Sequence, residues 1–506
     1  MLSYLDTPFG VGPHWPVPRT GGVAAGLDDA FIGGTDDVRA KLKHPEVLAI
    51  TTGQQPGLFT GPLYTMHKAL SARALALLLE ERWQRPVVPV FWLAGDDHDY
   101  TEASATHWLG PDGALMSVAL DPRPTEAPQR PMSREPVPAR AVELLAELVT
   151  ALPAGPARDQ TIDWLGRHYR TDASLAAAFG GALAEVLGPL GIVCFDPTAP
   201  AAKTAAAPTI LSAARQAGEL DHLLVGRAAH LEAQGQAVSV KVGDGATVVF
   251  LDGPLGRDRL VLDPAGFRTR RGGEVVPGSE LERIARDEPA RLSPNVLLRP
   301  VIESALLPTV GYVAGPGELR YLALAEALYQ PLGIVRQAAV PRWSGVLVEP
   351  RVTRSLEKFS ATVTELFEDG AEVERRVLHG MVPEDFDPAF AAARLAIEAG
   401  YDRIVTVAKA IDPTLEKPAL SSRGGALTGL GELEKRLLQA QKRRQGEVMT
   451  QLDRARTAVR PGGTPQERVL GLPAFAGRYG FAFLGALADH VVAWYRRALE
   501  ASGPTA

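Results

Sequence analysis

Apolar residues along this chain fall into two textures. In the first part they form short runs, Val47 to Thr52, Val87 to Leu93 and Gly191 to Phe195, which predict strands buried on both faces. Between them lie segments with helical spacing: Pro62 to Glu81, where Leu63, Met66, Leu70, Ala74 and Leu77 make one buried stripe, and Ala139 to Ala151. Such alternation predicts a parallel sheet with crossover helices. From about Ala237 to Val276 the runs VSVKV, TVVFL and RLVLD are short, β-rich and separated by GDG, DGPLG and PAG turns, the pattern of an antiparallel insertion. The parallel texture returns with Thr309 to Ala314, a turn at Gly315-Pro316-Gly317, a helix from Glu318 to Tyr329, and Ile334 to Val340.

From Ser355 to about Val459 strand signals vanish. Ile397, Tyr401, Ile404, Ala408 and Ile411 alternate steps of four and three, a heptad seam. Leu433, Leu437 and Ala440 begin another, which Val448, Leu452, Ala455 and Val459 continue after a polar break at Lys442 to Gln445. Pro413 to Leu430, rich in Pro, Ser and Gly, is the expected turn of a helical hairpin. An isolated two-helix hairpin buries little apolar area, so the arm is expected to form a homodimer. Leu470 to Trp494 is apolar again and returns to the core. The domains expected are a core over 1–354, with a helical excursion near 120–185 and a β-rich one near 220–290, an arm over 355–459, and C-terminal helices over 460–506.

Length supports this division, since 506 residues suit two or three units. A net charge of −6 argues against a broad basic footprint for nucleic acid. The N-terminal MLSYLDTPFGVGPHW lacks a charged region followed by an apolar one, and no apolar run spans a bilayer, so a soluble cytoplasmic protein without membrane partners is expected. The single cysteine, Cys194, permits no intramolecular disulfide or multi-cysteine zinc site. Its place in LGIVCFDP reads as a small core residue.

Several long motifs stand along the chain: TGQQPGLFTGPLYTMHK at 52–68, VFWLAGDDHD at 90–99, SPNVLLRP at 293–300, LLPTVGYVAGPGELRYL at 306–322, VPRWS at 340–344 and PQERVLGLPAFAGRYG at 465–480. In sequence and order they resemble the bacillithiol biosynthesis cysteine-adding enzymes (BshC). The resemblance implies an α/β fold, a Rossmann-like parallel core similar to class I synthetases and nucleotidyltransferases, with inserted connecting segments and an α-helical coiled-coil dimerisation domain. It also implies ligation of cysteine to glucosaminyl-malate through an amide bond. Synthetase analogy suggests nucleotide activation, by ATP or another nucleotide, but no GxxxxGK[ST] loop is present. Alternatives are a nucleotidyltransferase or metal-assisted hydrolase on a related core, and a non-catalytic coiled-coil scaffold that binds a ligand.

Candidate site residues cluster at strand ends. After the first strand the chain breaks at Gly53, Gly57 and Gly61, with Thr60 a suitable N-cap and Pro62 suited to the first helical turn; such a terminus favours an anion. Gln54, Gln55 and Gly57 belong to this turn. Tyr64, Lys68 and Ser71 flank the helical stripe, and Lys68 is expected to be a solvent-facing anion contact. His67, at the stripe's border, suits a packing histidine or a ligand contact equally. Tyr64, His67 and Lys68 depart from the HxGH pattern of synthetase-like cores. Asp96, Asp97, His98 and Asp99 admit three readings: ligands for Mg²⁺ or Zn²⁺, acceptors for substrate amines with a carboxylate or His98 as base, or a helix cap. The amine reading is favoured, and no metal is assigned. Arg299 and Arg342 suit the two carboxylates of glucosaminyl-malate. Gly315, Gly317 and Glu318 repeat the strand, turn, helix pattern, Ser344 ends the next strand with Arg342, and Tyr321 is placed to close over a sugar.

Overall fold

The computed structural model describes residues 2–7 and 15–501. It divides into two compact units: one from Asp6–Pro111, Leu115–Val346 and Thr464–Ala506, the other from Met1–Leu5, Asp112–Ala114 and Leu347–Gly463.

The first unit is built on a six-stranded sheet in the order Ala338–Pro341, Thr309–Ala314, Leu48–Gln54, Val87–Leu93, Val193–Phe195, Phe31–Gly33. Every neighbouring pair is parallel except the last. From Leu48–Gln54 the chain builds outward through Val87–Leu93 to Val193–Phe195, then resumes on the opposite side with Thr309–Ala314. Strand order therefore reverses beside Leu48–Gln54, and the crevice outside the carboxyl ends at such a reversal is where open α/β sheets bind ligands.

The helix Tyr64–Trp83 differs from the single stripe expected of it. Thr65 through Ala72 are all buried, because the sheet covers one side and Phe483–Ala501 covers the other, whereas Leu77, expected inside, is 44% exposed. Thr60 is not its N-cap. Leu58–Thr60 form a tight turn in which Phe59 and Thr60 take left-handed φ angles of 50° and 75°. The Tyr169 hydroxyl holds this strained turn by accepting from Thr60 N–H (3.0 Å) and donating to the Gly57 carbonyl (3.1 Å). At the helix entrance Leu63 N–H donates to the Leu470 carbonyl and Thr65 N–H to Pro62. The end expected to cradle an anion is thus closed by the chain itself.

The inserted sheet is antiparallel, in the order Val275–Val276, Gly266–Thr269, Gly256–Asp263, Ala246–Gly253, Leu292–Pro294. The VSVKV run is not a strand: Val238, Val240 and Val242 rest half-buried against the core without pairing. Val249, Leu251, Leu260 and Leu292 join the same apolar cluster as Val88, Val90 and Trp92, so the insertion shares the core of the main sheet. Gly256 needs to be glycine, since a Cβ there would lie 2.4 Å from the Gln129 backbone at a φ of 77°. Elsewhere the Glu318 helix starts earlier and ends sooner, over Pro316–Ala325, and the Ile334 run pairs only over Ala338–Pro341.

Cys194 is fully buried opposite Ile32 and Phe91, and burial pushes its thiol up to about 12. Cys194→Ala is expected to cost about 1–2 kcal/mol in folding and to leave turnover per folded molecule unchanged. Complete loss of activity in a stably folded variant would instead require a covalent role for this sulfur.

The second unit is helical: Pro350–Lys358, Val363–His379, Phe386–Ile411, Glu416–Arg444 and Gly446–Val459. Phe386–Ile411 and Glu416–Arg444 pack as the two arms of the hairpin. Its turn is far shorter than Pro413 to Leu430, because residues 416–430 are helical. Pro418 stands in the first turn of its helix, where a missing N–H breaks no bond, and the Asp412 side chain receives Thr414 N–H at 2.8 Å to close the corner. The expected break after Lys442 falls at Gln445. The expected seam is split: Ile397, Tyr401 and Ala408 are half-buried, but Ile404 and Ile411 are 52% and 74% exposed, on the open side with Leu395 and Val407.

Candidate functional site

A cavity of about 570 Å³ opens at the carboxyl ends of Leu48–Gln54, Val87–Leu93 and Thr309–Ala314. The sheet supplies its floor and the antiparallel insertion one wall, through Phe250, Arg257 and Arg259. Gln54, Gln55, Tyr64, Lys68, Asp96, Asp97 and His98 line it, as do Arg299, Gly315, Gly317, Glu318, Tyr321 and Arg342. Gly57, His67, Asp99 and Ser344 do not.

Lys68 is buried rather than solvent-facing, because its side chain turns in on the end of the sheet. Its Nζ donates to the Gly53 carbonyl (2.7 Å) and Gln54 Oε1 (2.8 Å) and pairs with Glu318 at 2.6 Å. Gly53 lets the strands close here, since a Cβ would lie 2.8 Å from the Trp92 carbonyl oxygen. The Glu318 carboxylate also accepts from Gly315 N–H and the Tyr312 hydroxyl. Burial favours its neutral form, but Lys68 and these donors outweigh that and keep it below the usual carboxylate range. Burial pushes Tyr64 and Tyr321 up to about 12, so both act as neutral phenols.

Arg342 is likewise internal. Its guanidinium forks onto Glu467, with Nη1 2.8 Å from Oε2. Glu467 also accepts from Ser344 Oγ (2.9 Å) and Gly345 N–H, and it meets His67 Nδ1 at 2.9 Å. His67 is fully buried edge-on to Trp343, and burial lowers its pKa. It is therefore a packing histidine, and Ser344 lies behind the cavity beside it. Arg299 remains at the cavity, paired with Glu303 (2.8 Å) and 4.8 Å above the Tyr312 ring.

The acidic turn does not act as one group. Asp96 pairs with Lys203 at 2.6 Å. Asp97 Oδ1 accepts from the backbone N–H of His98 and Asp99. Asp99 is exposed and caps the short helix Tyr100–Ala103 through Glu102 N–H, as the capping reading has it for that residue. Among the described residues no three His, Cys, Asp or Glu side chains converge as a metal site. His98 faces Arg257, whose Nη1 lies 3.1 Å from Nδ1, and burial followed by this positive neighbour lowers its pKa. Glu102 lines the cavity with a raised pKa, from burial and then Asp99 and Asp97.

Sequence reasoning missed Glu102, Lys203, Arg257, Arg259, Asn295, Arg468 and, behind the cavity, Glu467. Arg257 and Arg259 stand two apart on one strand and so share a face, which the sequence does show; that this face looks into the site depends on the insertion folding back. Glu467 lay within a quoted motif, PQERVLGLPAFAGRYG, without a partner to give it meaning.

Residues 35–343 match the family model described as the Bacillithiol biosynthesis BshC N-terminal Rossmann-like domain, and residues 345–493 match the corresponding C-terminal coiled-coil domain. Similar proteins, each described as "Putative cysteine ligase BshC", include one from Salinibacter ruber, 31% identical over 450 residues (88% of this chain, 80% of that one). Others are from Symbiobacterium thermophilum, 30% identical over 498 residues (94% and 87%), and Prosthecochloris aestuarii, 28% identical over 461 residues (88% and 81%).

Proposed function

The chain belongs to the bacillithiol biosynthesis BshC family, and from that premise we propose that its cavity joins the carboxyl of L-cysteine to the glucosamine amine of glucosaminyl-malate. The observation that supports this placement is the division of charge in the cavity. Arg259 lines it from the inserted sheet and Arg299 from the helix Arg299–Leu306, while Asp97 and Glu102 line it from the turn and short helix that follow Val87–Leu93. A substrate with two carboxylates at one end and an ammonium at the other matches that division. Asn295 adds a donor: its Oδ1 accepts Leu297 and Leu298 N–H, leaving buried Nδ2 without an acceptor among the described residues. In this arrangement the malyl carboxylates lie toward Arg259 and Arg299 and the amine toward Asp97 and Glu102.

Mass spectrometry of the protein incubated with glucosaminyl-malate and cysteine, with and without ATP, tests the reaction. A coupled product supports it, and dependence on ATP identifies the activating agent. No coupled product under either condition would overturn it.

The helical unit forms a homodimer in this reading, and the protein works in the cytoplasm. No helix among the described residues is long and apolar enough to cross a membrane. Leu395, Ile404, Val407 and Ile411 on one arm and Leu420, Leu433 and Leu437 on the other are exposed, an apolar surface that a second hairpin would cover. Ile404→Lys with Val407→Lys is expected to give monomers by light scattering at unchanged thermal stability of each chain's core. An unchanged dimer would place the interface elsewhere.

A further inference from the structure

The two ring nitrogens of His98 keep different company. Nδ1 meets Arg257 Nη1 at 3.1 Å, and Nε2 has no protein partner among the described residues. Arg257 is firmly held. Its Nε donates to Ser293 Oγ at 2.9 Å, Nη2 donates to the Pro294 carbonyl, its guanidinium carbon lies 4.1 Å from the centre of the Phe250 ring, and its backbone N–H donates to the Gln129 carbonyl. A guanidinium carries only N–H donors and stays protonated. Contact at this distance requires a lone pair on Nδ1, so the neutral imidazole carries its proton on Nε2. An imidazolium would set N–H against N–H and positive charge against positive charge. Burial disfavours it most, Arg257 and Arg271 add to that, and Asp97 and Asp99 oppose them.

Resting on the amide-forming reading above, we infer that Arg257 is a positioning residue that fixes His98 as its Nε2–H tautomer, making His98 a hydrogen-bond donor to the reacting carbonyl and not the general base. The amine nitrogen adds to the cysteinyl carbonyl, activated as a mixed carboxylic–phosphoric anhydride. The carbonyl π electrons move to oxygen, where Nε2–H meets the growing charge. The ammonium-type proton passes to a cavity carboxylate, Asp97 or Glu102, and collapse of the oxyanion expels the phosphate-bearing half. An imidazole with Nε2 already protonated has no lone pair to offer the amine on the cavity side, so the two roles exclude each other.

Two substitution pairs and one spectrum test this. His98→Ala is expected to lower kcat about 10²–10³-fold, while His98→Gln, whose amide N–H stands in for Nε2–H, restores most of it. Arg257→Lys, also a pure donor, retains turnover. Arg257→Gln, whose carbonyl accepts from Nδ1–H and releases the other tautomer, loses about a hundredfold in kcat with KM little changed. A His98→Gln variant as slow as His98→Ala, or an Arg257→Lys variant as slow as Arg257→Gln, would overturn the assignment. In intact protein labelled with ¹⁵N-histidine, the His98 signal, identified by its loss in His98→Gln, is expected to show bare Nδ1 and protonated Nε2; protonated Nδ1 would overturn it. This spectrum needs no turnover, so failure of the wild-type protein to couple the substrates sinks the reaction and leaves the tautomer separately decided.

Discussion

Glu467→Ala is expected to remove about 3–5 kcal/mol of folding stability, because it leaves the Arg342 guanidinium buried without its counter-charge. Glu467 is 4% exposed, and its carboxylate serves Arg342, His67, Ser344 and Gly345 together. Burial alone would push its pKa up; His67 and the Arg342 fork outweigh that and hold it far below the usual range. A carboxylate whose folded pKa is depressed adds stability above its unfolded pKa, about 4.3, and that stability fades as pH falls through the window below it. Urea denaturation at pH 7 and near pH 4 should therefore show a large deficit for the variant at pH 7 and a smaller one in acid. A deficit below about 1 kcal/mol at pH 7 would mean that the fork contributes little. Arg342→Met combined with Glu467→Leu should recover much of the loss, since removing both members of a buried pair strands neither charge.

Lys68→Met is expected to cost about 3 kcal/mol for the same reason, and here the damage reaches the cavity. Glu318 loses its closest positive partner, and Gly53 and Gln54 lose the donor that ties the strand end to the helix. In the wild-type protein the lowered Glu318 pKa stabilises the fold above about pH 4.3. In the variant, burial raises that pKa and the carboxyl takes up a proton, so the difference between the two proteins should be widest at neutral pH and narrow in acid. Adding Glu318→Gln to Lys68→Met should return part of the stability. Equal melting at every pH would show that the pair is not coupled to folding.

The strands were legible because both faces of a parallel strand are apolar, and Val87 to Leu93 and Thr309 to Ala314 are read off the sequence to the residue. Their carboxyl ends pointed correctly to the cavity. What was not legible is whatever a distant segment decides. Lys68 looked solvent-facing because a helical wheel cannot show that Glu318, 250 residues on, will meet its ammonium at the end of the sheet. Thr60 looked like a cap because its sequence suits one, yet Tyr169, more than a hundred residues on, holds that turn in a left-handed form. Arg342 looked solvent-facing because nothing near it in sequence shows that Glu467, 125 residues on, holds its guanidinium. The arm misled in the opposite direction: glycine and proline between Pro413 and Leu430 read as a turn, but local propensity of about 1 kcal/mol per glycine is weaker than the packing of one long helix on another.

Arg342 and Glu467 are separated by 125 residues, and the whole helical unit is threaded between them. At a ribosomal pace of about 5–20 residues per second, a nascent chain spends on the order of ten seconds with that guanidinium made and its carboxylate not yet translated. The sheet can form in that time, but the cavity at its edge cannot be completed until Glu467 and Arg468 arrive. A chain cut short anywhere in the arm would carry every residue that touches the cavity except Arg468 and would still be incomplete, offering proteases an unanchored edge where the finished protein has a closed one.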